Sequence, residues 1–248
     1  MPVKIIAHRG ASKYAPENTM PAFQMAYELG ADIIETDVQL TKDRVPILFH
    51  DIKINRVTSH KGYIKDFTYD EIIALDVGTH FSKKYRGTSI VSLEHFLAWV
   101  QSKSISLNLE LKNSKIDYKN LEEIVLEMLE HYQLIDRTIL SSFNPKSIQR
   151  LTKTPQRVHK AFITSKRQKD LIPYSKEIGA DALHIHYRLL RKNMVHQSKK
   201  AEIPLRVYTV NKKRHLLKCL HYKCDGIITD VPDKAINIQN IYNQIIKE

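Results

Sequence analysis

The sequence predicts a single α/β domain closed as a (β/α)8 (TIM) barrel, with a small inserted segment after the second histidine-bearing strand. Three observations predict it. Short β-rich runs recur as "VKIIAH", "DIIETDV", "VPILFH", "SLNLELK", "TILSSF", "RVHKAFI", "DALHIHY", "PLRVYTV" and "DGIITD". Segments of helical spacing separate most of them, and a β-α-β-α rhythm builds a parallel sheet covered by helices. The chain has 248 residues, within the roughly 200 to 250 that such a barrel occupies as one unit. No glycine-rich dinucleotide loop follows the first strand, which weighs against an open doubly wound sheet.

The first strand, Val3 to His8, ends abruptly at His8, Arg9 and Gly10. Thr19 is placed as a helix N-cap with Pro21 in the first turn, and Gly30 ends the helix that runs to Leu29. Two strands follow. Residues 52–91 are then polar and turn-rich, with one short helical stretch around Tyr69 to Leu75, and read as an insertion over one barrel mouth. Beyond it the rhythm resumes, with helices expected over Leu121 to His131 and Pro145 to Leu151. "SFNPKS" and "EIGADA" repeat the same punctuation. No linker, repeat or low-complexity tract divides the chain, so residues 1–248 read as one domain.

At 42% apolar and 27% charged residues the composition is that of an ordinary soluble globular protein, not a disordered one. A formal net charge of +12 draws phosphates, nucleic acids or anionic lipid headgroups toward the surface. The basic residues are scattered, however, and no RNA-binding, zinc-finger or helix-turn-helix pattern accompanies them. Most of this charge therefore reads as solvated surface: no nucleic acid is expected, and weak contact with anionic membranes stays open, as does the choice between monomer and homodimer. Cys219 and Cys224 lack the two-residue spacing of redox or zinc pairs, which fits a reducing compartment. No run approaches the roughly 20 apolar residues of a membrane span, and no signal-peptide core follows Met1; the expected location is cytoplasmic.

In "IIETDVQ", Glu35 and Asp37 stand two apart and so project from one side of a strand. Two like charges in an apolar strand are costly unless a cation or a basic partner neutralises them. Either they bind metal, or a loop begins earlier and both are solvated. "LNLELKN" repeats the device with Glu110 and Lys112. Glu110 can serve as a third oxygen ligand, and three carboxylates suit Mg²⁺ or Ca²⁺ rather than zinc. Lys112 then offers a point charge for a phosphate oxygen; otherwise the two form a surface pair of little weight. His8 and His50 end two strands and can face each other across a barrel mouth as acid and base, since histidine titrates near pH 6.5. The alternative is two structural histidines. Asp51 reads as the cap of the following turn rather than as a partner of His50. Glu17 either fixes Arg9 or is loop surface. His184 and His186 share a strand face near the mouth, with contact to substrate left open, while His60, His80 and His95 read as surface or packing residues.

Taken together, "HRG" at His8 to Gly10, "PENT" at Pro16 to Thr19, "ETDV" at Glu35 to Val38, "FHD" at Phe49 to Asp51, "ELK" at Glu110 to Lys112, "SSF" at Ser141 to Phe143 and "DGIITDVPD" at Asp225 to Asp233 carry a resemblance. Their order and spacing resemble the glycerophosphodiester phosphodiesterase family nearly end to end. The resemblance implies a (β/α)8 barrel that hydrolyses glycerophosphodiesters, such as glycerophosphocholine or glycerophosphoethanolamine, to glycerol 3-phosphate and an alcohol. It also implies one divalent cation, Mg²⁺ or Ca²⁺, on Glu35, Asp37 and Glu110, with His8 and His50 as the acid/base pair and Arg9 and Lys112 near the phosphate. Tyr208 stands where the family usually has tryptophan; it keeps an aromatic wall for substrate and adds a hydroxyl, or it simply packs. The nucleophile is water or a neighbouring hydroxyl of the substrate. Two other readings stay open: a lysophospholipase D-like phosphodiesterase, and a non-catalytic barrel that binds phosphate or anionic membranes. Against the latter, each matched catalytic position holds a chemically competent residue.

Overall fold

The computed structural model describes residues 3–155 and 157–246. In chain order the elements are β1 (Lys4–His8), α1 (Met20–Glu28), β2 (Ile33–Leu40), β3 (Pro46–Leu48), α2 (Tyr69–Ile73), β4 (Val91–Ser92), α3 (Leu93–Val100), β5 (Ser106–Leu111), α4 (Leu121–His131), β6 (Thr138–Ser142), α5 (Pro145–Leu151), β7 (His159–Thr164), α6 (Leu171–Glu177), β8 (Ala182–His186), α7 (Lys192–Lys200), β9 (Leu205–Tyr208), α8 (Lys213–Tyr222), β10 (Gly226–Thr229) and α9 (Pro232–Ile245). β1 pairs in parallel with both β2 and β10, which closes the ring β1-β2-β5-β6-β7-β8-β9-β10 and leaves it without an exposed edge. The architecture is a (β/α)8 barrel.

Alternation along the staves divides the core. Ile6, Ile33, Ile139, Ala161, Ala182 and Ile228 come from six different staves yet form one cluster, an arrangement that the barrel lumen provides. Outward-facing residues such as Leu107, Leu109, Leu183 and Leu205 pack beneath the helices in two larger clusters. Above the lumen plug, the next inward positions carry the polar residues of the "HRG", "ETD" and "LEL" segments. No helix among the described residues is long and apolar enough to cross a membrane.

Thr19 does occupy the N-cap position of α1, but its hydroxyl makes no cap bond and donates instead to the Pro16 carbonyl at 2.5 Å. Gly30 closes that helix at φ +79°. The "VPILFH" run departs further from expectation. Only Pro46–Leu48 is strand, and β3 is not a stave; it folds back antiparallel on β2, with Val38 opposite Leu48 and Leu40 opposite Pro46. The five residues of 41–45 are far too few for a parallel crossover, which needs a dozen or more. They form a tight turn instead, with Arg44 at φ +69° and the Thr41 hydroxyl accepting from the Val45 amide at 2.9 Å.

This reversal returns the chain to the rim. The Phe49 amide donates to the Asp37 carbonyl at 2.9 Å, and His50 follows immediately. Past His50 the chain builds a separate small core from Ile47, Phe49, Ile54, Val57, Ile64, Ile72, Leu75, Val77 and Ile90. Three single 3-10 turns and one α-helix, α2, punctuate it, and α2 is secured by a capping box in which the Thr68 hydroxyl accepts from the Glu71 amide and Glu71 accepts from the Thr68 amide.

At the end of β1 the backbone turns sharply through Arg9 (φ +56°) and Gly10 (φ +77°). A Cβ at position 10 would lie 2.6 Å from the carbonyl carbon and oxygen of Ala22 in α1. Gly10→Ala should therefore lower the stability of the protein by roughly 2–3 kcal/mol through combined backbone strain and overlap. A fall in the urea midpoint of unfolding measures it; an unchanged midpoint contradicts the close packing of this turn on α1.

Candidate active site

Glu35 and Asp37 leave β2 on the same side, and Glu110 leaves β5 directly opposite Asp37 in the parallel register. One carboxylate oxygen from each lies within 4.8 Å of the others, and the three residues are 3%, 1% and 9% exposed. So dense a buried charge requires compensation. The Arg9 amide donates to Glu35 Oε2 at 2.8 Å, and Arg9 Nε lies 3.3 Å from Asp37 Oδ2. Lys112 Nζ donates to Glu110 Oε1 at 2.7 Å and lies 3.5 Å from Asp37 Oδ1. Asn18 donates to Asp37 Oδ2 at 2.9 Å and is itself fixed by the Thr36 hydroxyl at 2.7 Å.

The resulting balance is uneven. Burial, then the neighbouring charges of Asp37 and Glu110, push Glu35 well above the usual carboxylate range. Burial would raise Asp37 too, but Lys112, Arg9 and His50 outweigh it and hold that carboxyl below its ordinary value. Arg9 and Lys112, which burial alone would lower, are instead raised by the surrounding carboxylates. With all three carboxyls ionised, two side-chain cations leave one negative charge uncompensated, and the donors are hard oxygens with no thiol or imidazole among them. This donor set fits a hard divalent cation such as Mg²⁺ or Ca²⁺.

Two imidazoles flank the cluster. His8 Nδ1 lies 2.6 Å from Asp230 Oδ1, and Asp230 also accepts from Ser12 and from Asn211. Burial would raise Asp230, but its bond to His8 keeps it below the usual range. His50 Nδ1 lies 2.7 Å from Asp51 Oδ1. Because a carboxylate can only accept, each ring carries its proton on Nδ1 and leaves Nε2 to exchange one with a ligand. Asp51 Oδ2 in turn accepts from Arg56 Nε, Arg56 grips Glu17 with both terminal nitrogens at 3.0 and 2.6 Å, and Glu17 accepts from Arg9 at 3.0 Å. One ionic chain thus joins His50 to Arg9. The reading of Asp51 as a turn cap is corrected here: its two oxygens are taken by His50 and Arg56, the latter supplied five residues on by the following turn.

His8, Arg9, Glu35, His50, Glu110 and Tyr208 line one cavity of about 130 Å³. Asp37 lies buried beside it, and Lys112 faces an adjoining groove while bonded to Glu110. Asn108, Phe143 and His184 complete much of the wall. Three polar atoms of that wall, Asn108 Oδ1, His184 Nδ1 and the Tyr208 hydroxyl, are buried without a hydrogen-bond partner; Ser165 approaches Tyr208 without hydrogen-bonding geometry. Full burial, aided by Arg206, keeps His184 neutral, and Arg206 Nη1 sits 3.2 Å from its Nε2. Arginine only donates, so His184 Nδ1 is an unused N–H donor. His186, by contrast, packs edge-on against Tyr208 at 5.8 Å between ring centres, and His80 lines a different small cavity behind His50.

Sequence reasoning missed Asn18, Arg56, Asn108 and Asp230. Asn18 and Asp230 stand inside quoted motifs, "PENT" and "ITDVPD", but neither position announces its partner. Arg56 lies in the inserted segment, where basic residues read as solvated surface.

An eight-stave barrel that gathers a cation-competent carboxylate triad and two aspartate-anchored imidazoles at one rim has the layout of an enzyme site at a barrel mouth. The sequence profile of the glycerophosphoryl diester phosphodiesterase family matches residues 8–234, and the chain belongs to that family of phosphoric diester hydrolases. It is similar to the glycerophosphodiester phosphodiesterase of Bacillus altitudinis, at 39% identity over 241 residues covering 95% of this chain and 98% of that one. A protein of the same name from Caldanaerobacter subterraneus is 35% identical over 238 residues, covering 96% and 98%. Among solved structures, an Oleispira antarctica phosphodiesterase in complex with the product sn-glycerol-3-phosphate superposes with a TM-score of 0.88 at 27% identity over 96% of each chain.

The raised Glu35 carboxyl sets a pH dependence. An ion that binds the carboxylate competes with its proton, so affinity for Mg²⁺ or Ca²⁺ should weaken as pH falls toward the ordinary carboxylate range, by up to about tenfold per unit. Calorimetry over that fall in pH checks this; a flat profile contradicts the raised carboxyl. Since the charged form of Glu35 is penalised in the metal-free fold, Glu35→Gln should abolish binding while raising the metal-free thermal midpoint at alkaline pH, where the wild-type carboxyl is forced to ionise.

Proposed function

We propose that this protein hydrolyses glycerophosphodiesters, glycerophosphocholine and glycerophosphoethanolamine among them, to glycerol 3-phosphate and an alcohol, in a reaction that depends on one divalent cation, Mg²⁺ or Ca²⁺. One observation carries the reading: two imidazoles, each held at Nδ1 by an aspartate, line the same 130 Å³ cavity as a buried carboxylate cluster. The likeness to a phosphodiesterase in complex with sn-glycerol-3-phosphate supports it.

Cleavage of a phosphodiester requires charge neutralisation at the nonbridging oxygens, an in-line nucleophile and a proton for the leaving alkoxide. Glu35, Asp37 and Glu110 are the residues that hold the cation, which when bound supplies Lewis-acid stabilisation of phosphate charge. Arg9 and Lys112 add fixed positive charge on the same face, and Arg9 Nε is a buried donor with no hydrogen-bond acceptor of its own. Of His8 and His50, one removes a proton from the nucleophile at Nε2 and the other donates one to the departing oxygen. Asp230 and Asp51 keep each ring in the tautomer this requires and stabilise it when charged. The unpartnered Asn108, His184 and Tyr208 atoms offer an acceptor, a donor and a hydroxyl to the hydroxyl groups of a glycerol moiety. Residues 52–91, which supply Ile52, Lys53, Asn55 and Arg56 to the groove beside His50, are an insertion at the mouth of the one domain in this reading. Free, buried Cys219 and Cys224 are consistent with a cytoplasmic location.

Incubation of the protein with glycerophosphocholine should release glycerol 3-phosphate, and EDTA should stop the release; no release from any glycerophosphodiester overturns the reading. His8→Ala and His50→Ala should each lower kcat by about 10²- to 10⁴-fold. The two should separate on a glycerophosphodiester of 4-nitrophenol, a leaving group that needs no proton. The variant that recovers there has lost the acid, and equal losses in both variants contradict a division of labour.

A further inference from the structure

A second depression, of about 650 Å³, adjoins the catalytic cavity and shares His50 and Phe143 with it. Its walls carry Lys53, Arg56, Lys112, Lys115 and Lys166 against one carboxylate, Asp51. That carboxylate is already occupied by His50 and Arg56. Arg56 is neutralised by Glu17 and Asp51, and Lys112 by Glu110 and Asp37. Three exposed ammonium groups remain for which the described residues provide no carboxylate within ion-pairing distance: Lys115, Lys166, and Lys53, which lies 4.7 Å over the Tyr63 ring. Cations gathered in a concave wall raise the local positive potential and concentrate anions there.

The two spaces differ in size and in chemistry. The smaller one, with unpartnered polar atoms in its wall, suits a glycerol-sized polyol. The larger one begins at His50, so a group lying in it can remain bonded to a phosphorus held beside the carboxylate cluster. We propose that this groove is the leaving-alcohol subsite, and that Lys53, Lys115 and Lys166 select glycerophosphodiesters whose alcohol carries a second anionic group, such as a phosphate monoester, over the cationic choline ester. The inference rests on the hydrolytic reading above and assigns the substrate class within it.

Glycerophosphoinositol and glycerophosphoinositol 4-phosphate form a matched pair that differs by one phosphate monoester, and each yields glycerol 3-phosphate. The wild-type protein should favour the phosphorylated member in kcat/KM by about tenfold or more at low salt, with glycerophosphocholine the poorest of the three. The preference should shrink as ionic strength rises. In the Lys115→Ala, Lys166→Ala double variant the ratio should fall toward one, whereas Lys176→Ala with Lys200→Ala, which removes equal charge elsewhere on the surface, should leave it intact. A wild-type ratio of one, or a ratio unmoved in the first double variant, overturns the proposal. Calorimetry with inositol 4-phosphate separates the two readings: binding that the first double variant loses supports the groove even if no diester is cleaved. Turnover without such binding or preference keeps the hydrolytic reading and removes this one.

Discussion

Three carboxylates confined within 4.8 Å of one another, almost out of reach of water, are the constraint around which the mouth of this barrel is organised. Such a cluster cannot persist in a low-dielectric setting on packing alone. It draws in Arg9 and Lys112, and those two must be held in turn. Glu17 holds Arg9, Arg56 holds Glu17, and the same Arg56 holds Asp51 against His50. The requirement to neutralise the acidic centre is thereby transmitted, contact by contact, to the orientation of an imidazole. His8 is oriented separately through Asp230, from the last stave of the ring.

Closure makes the cluster possible. Because β1 is bonded on both sides, His8 and Glu35 stand in register, as do Asp37 and Glu110, and side chains that are distant in sequence meet at one level of the lumen. The apolar layer below them, from Ile6 to Ile228, seals the barrel and keeps the polar layer at a single end. This layering explains why dense charge at the mouth coexists with an ordinary apolar core.

Much of this was legible in the residues. Period-two placement of Glu35 with Asp37 and of Glu110 with Lys112 is a local signal, and a strand converts it directly into a shared face. The turn at Arg9 and Gly10 is equally local. What escaped was set by tertiary closure: Asp230 reaches His8 across 222 positions of sequence, and Arg56 meets Glu17 across 39. Nine apolar runs for eight staves left one run over, and that β3 is the one was not legible because such a run looks alike whether it extends a barrel or folds back; only the brevity of the 41–45 turn distinguishes the two. Asp51 was misassigned for a related reason, since a carboxylate after a strand serves caps and histidines equally well until Arg56 is placed.

The fold-back of β3 means that the two imidazoles belong to different structural hosts. His8 is rooted in the barrel wall, whereas His50 hangs from a hairpin whose apolar residues pack into their own small nucleus. A change in the length or packing of this nucleus can remould the His50 side of the mouth while the staves that carry Glu35, Asp37 and Glu110 keep their pairing. The mouth thus has one wall fixed by closure of the barrel and one set by a hairpin, and the ionic chain through Arg56 and Glu17 is what ties the second to the first.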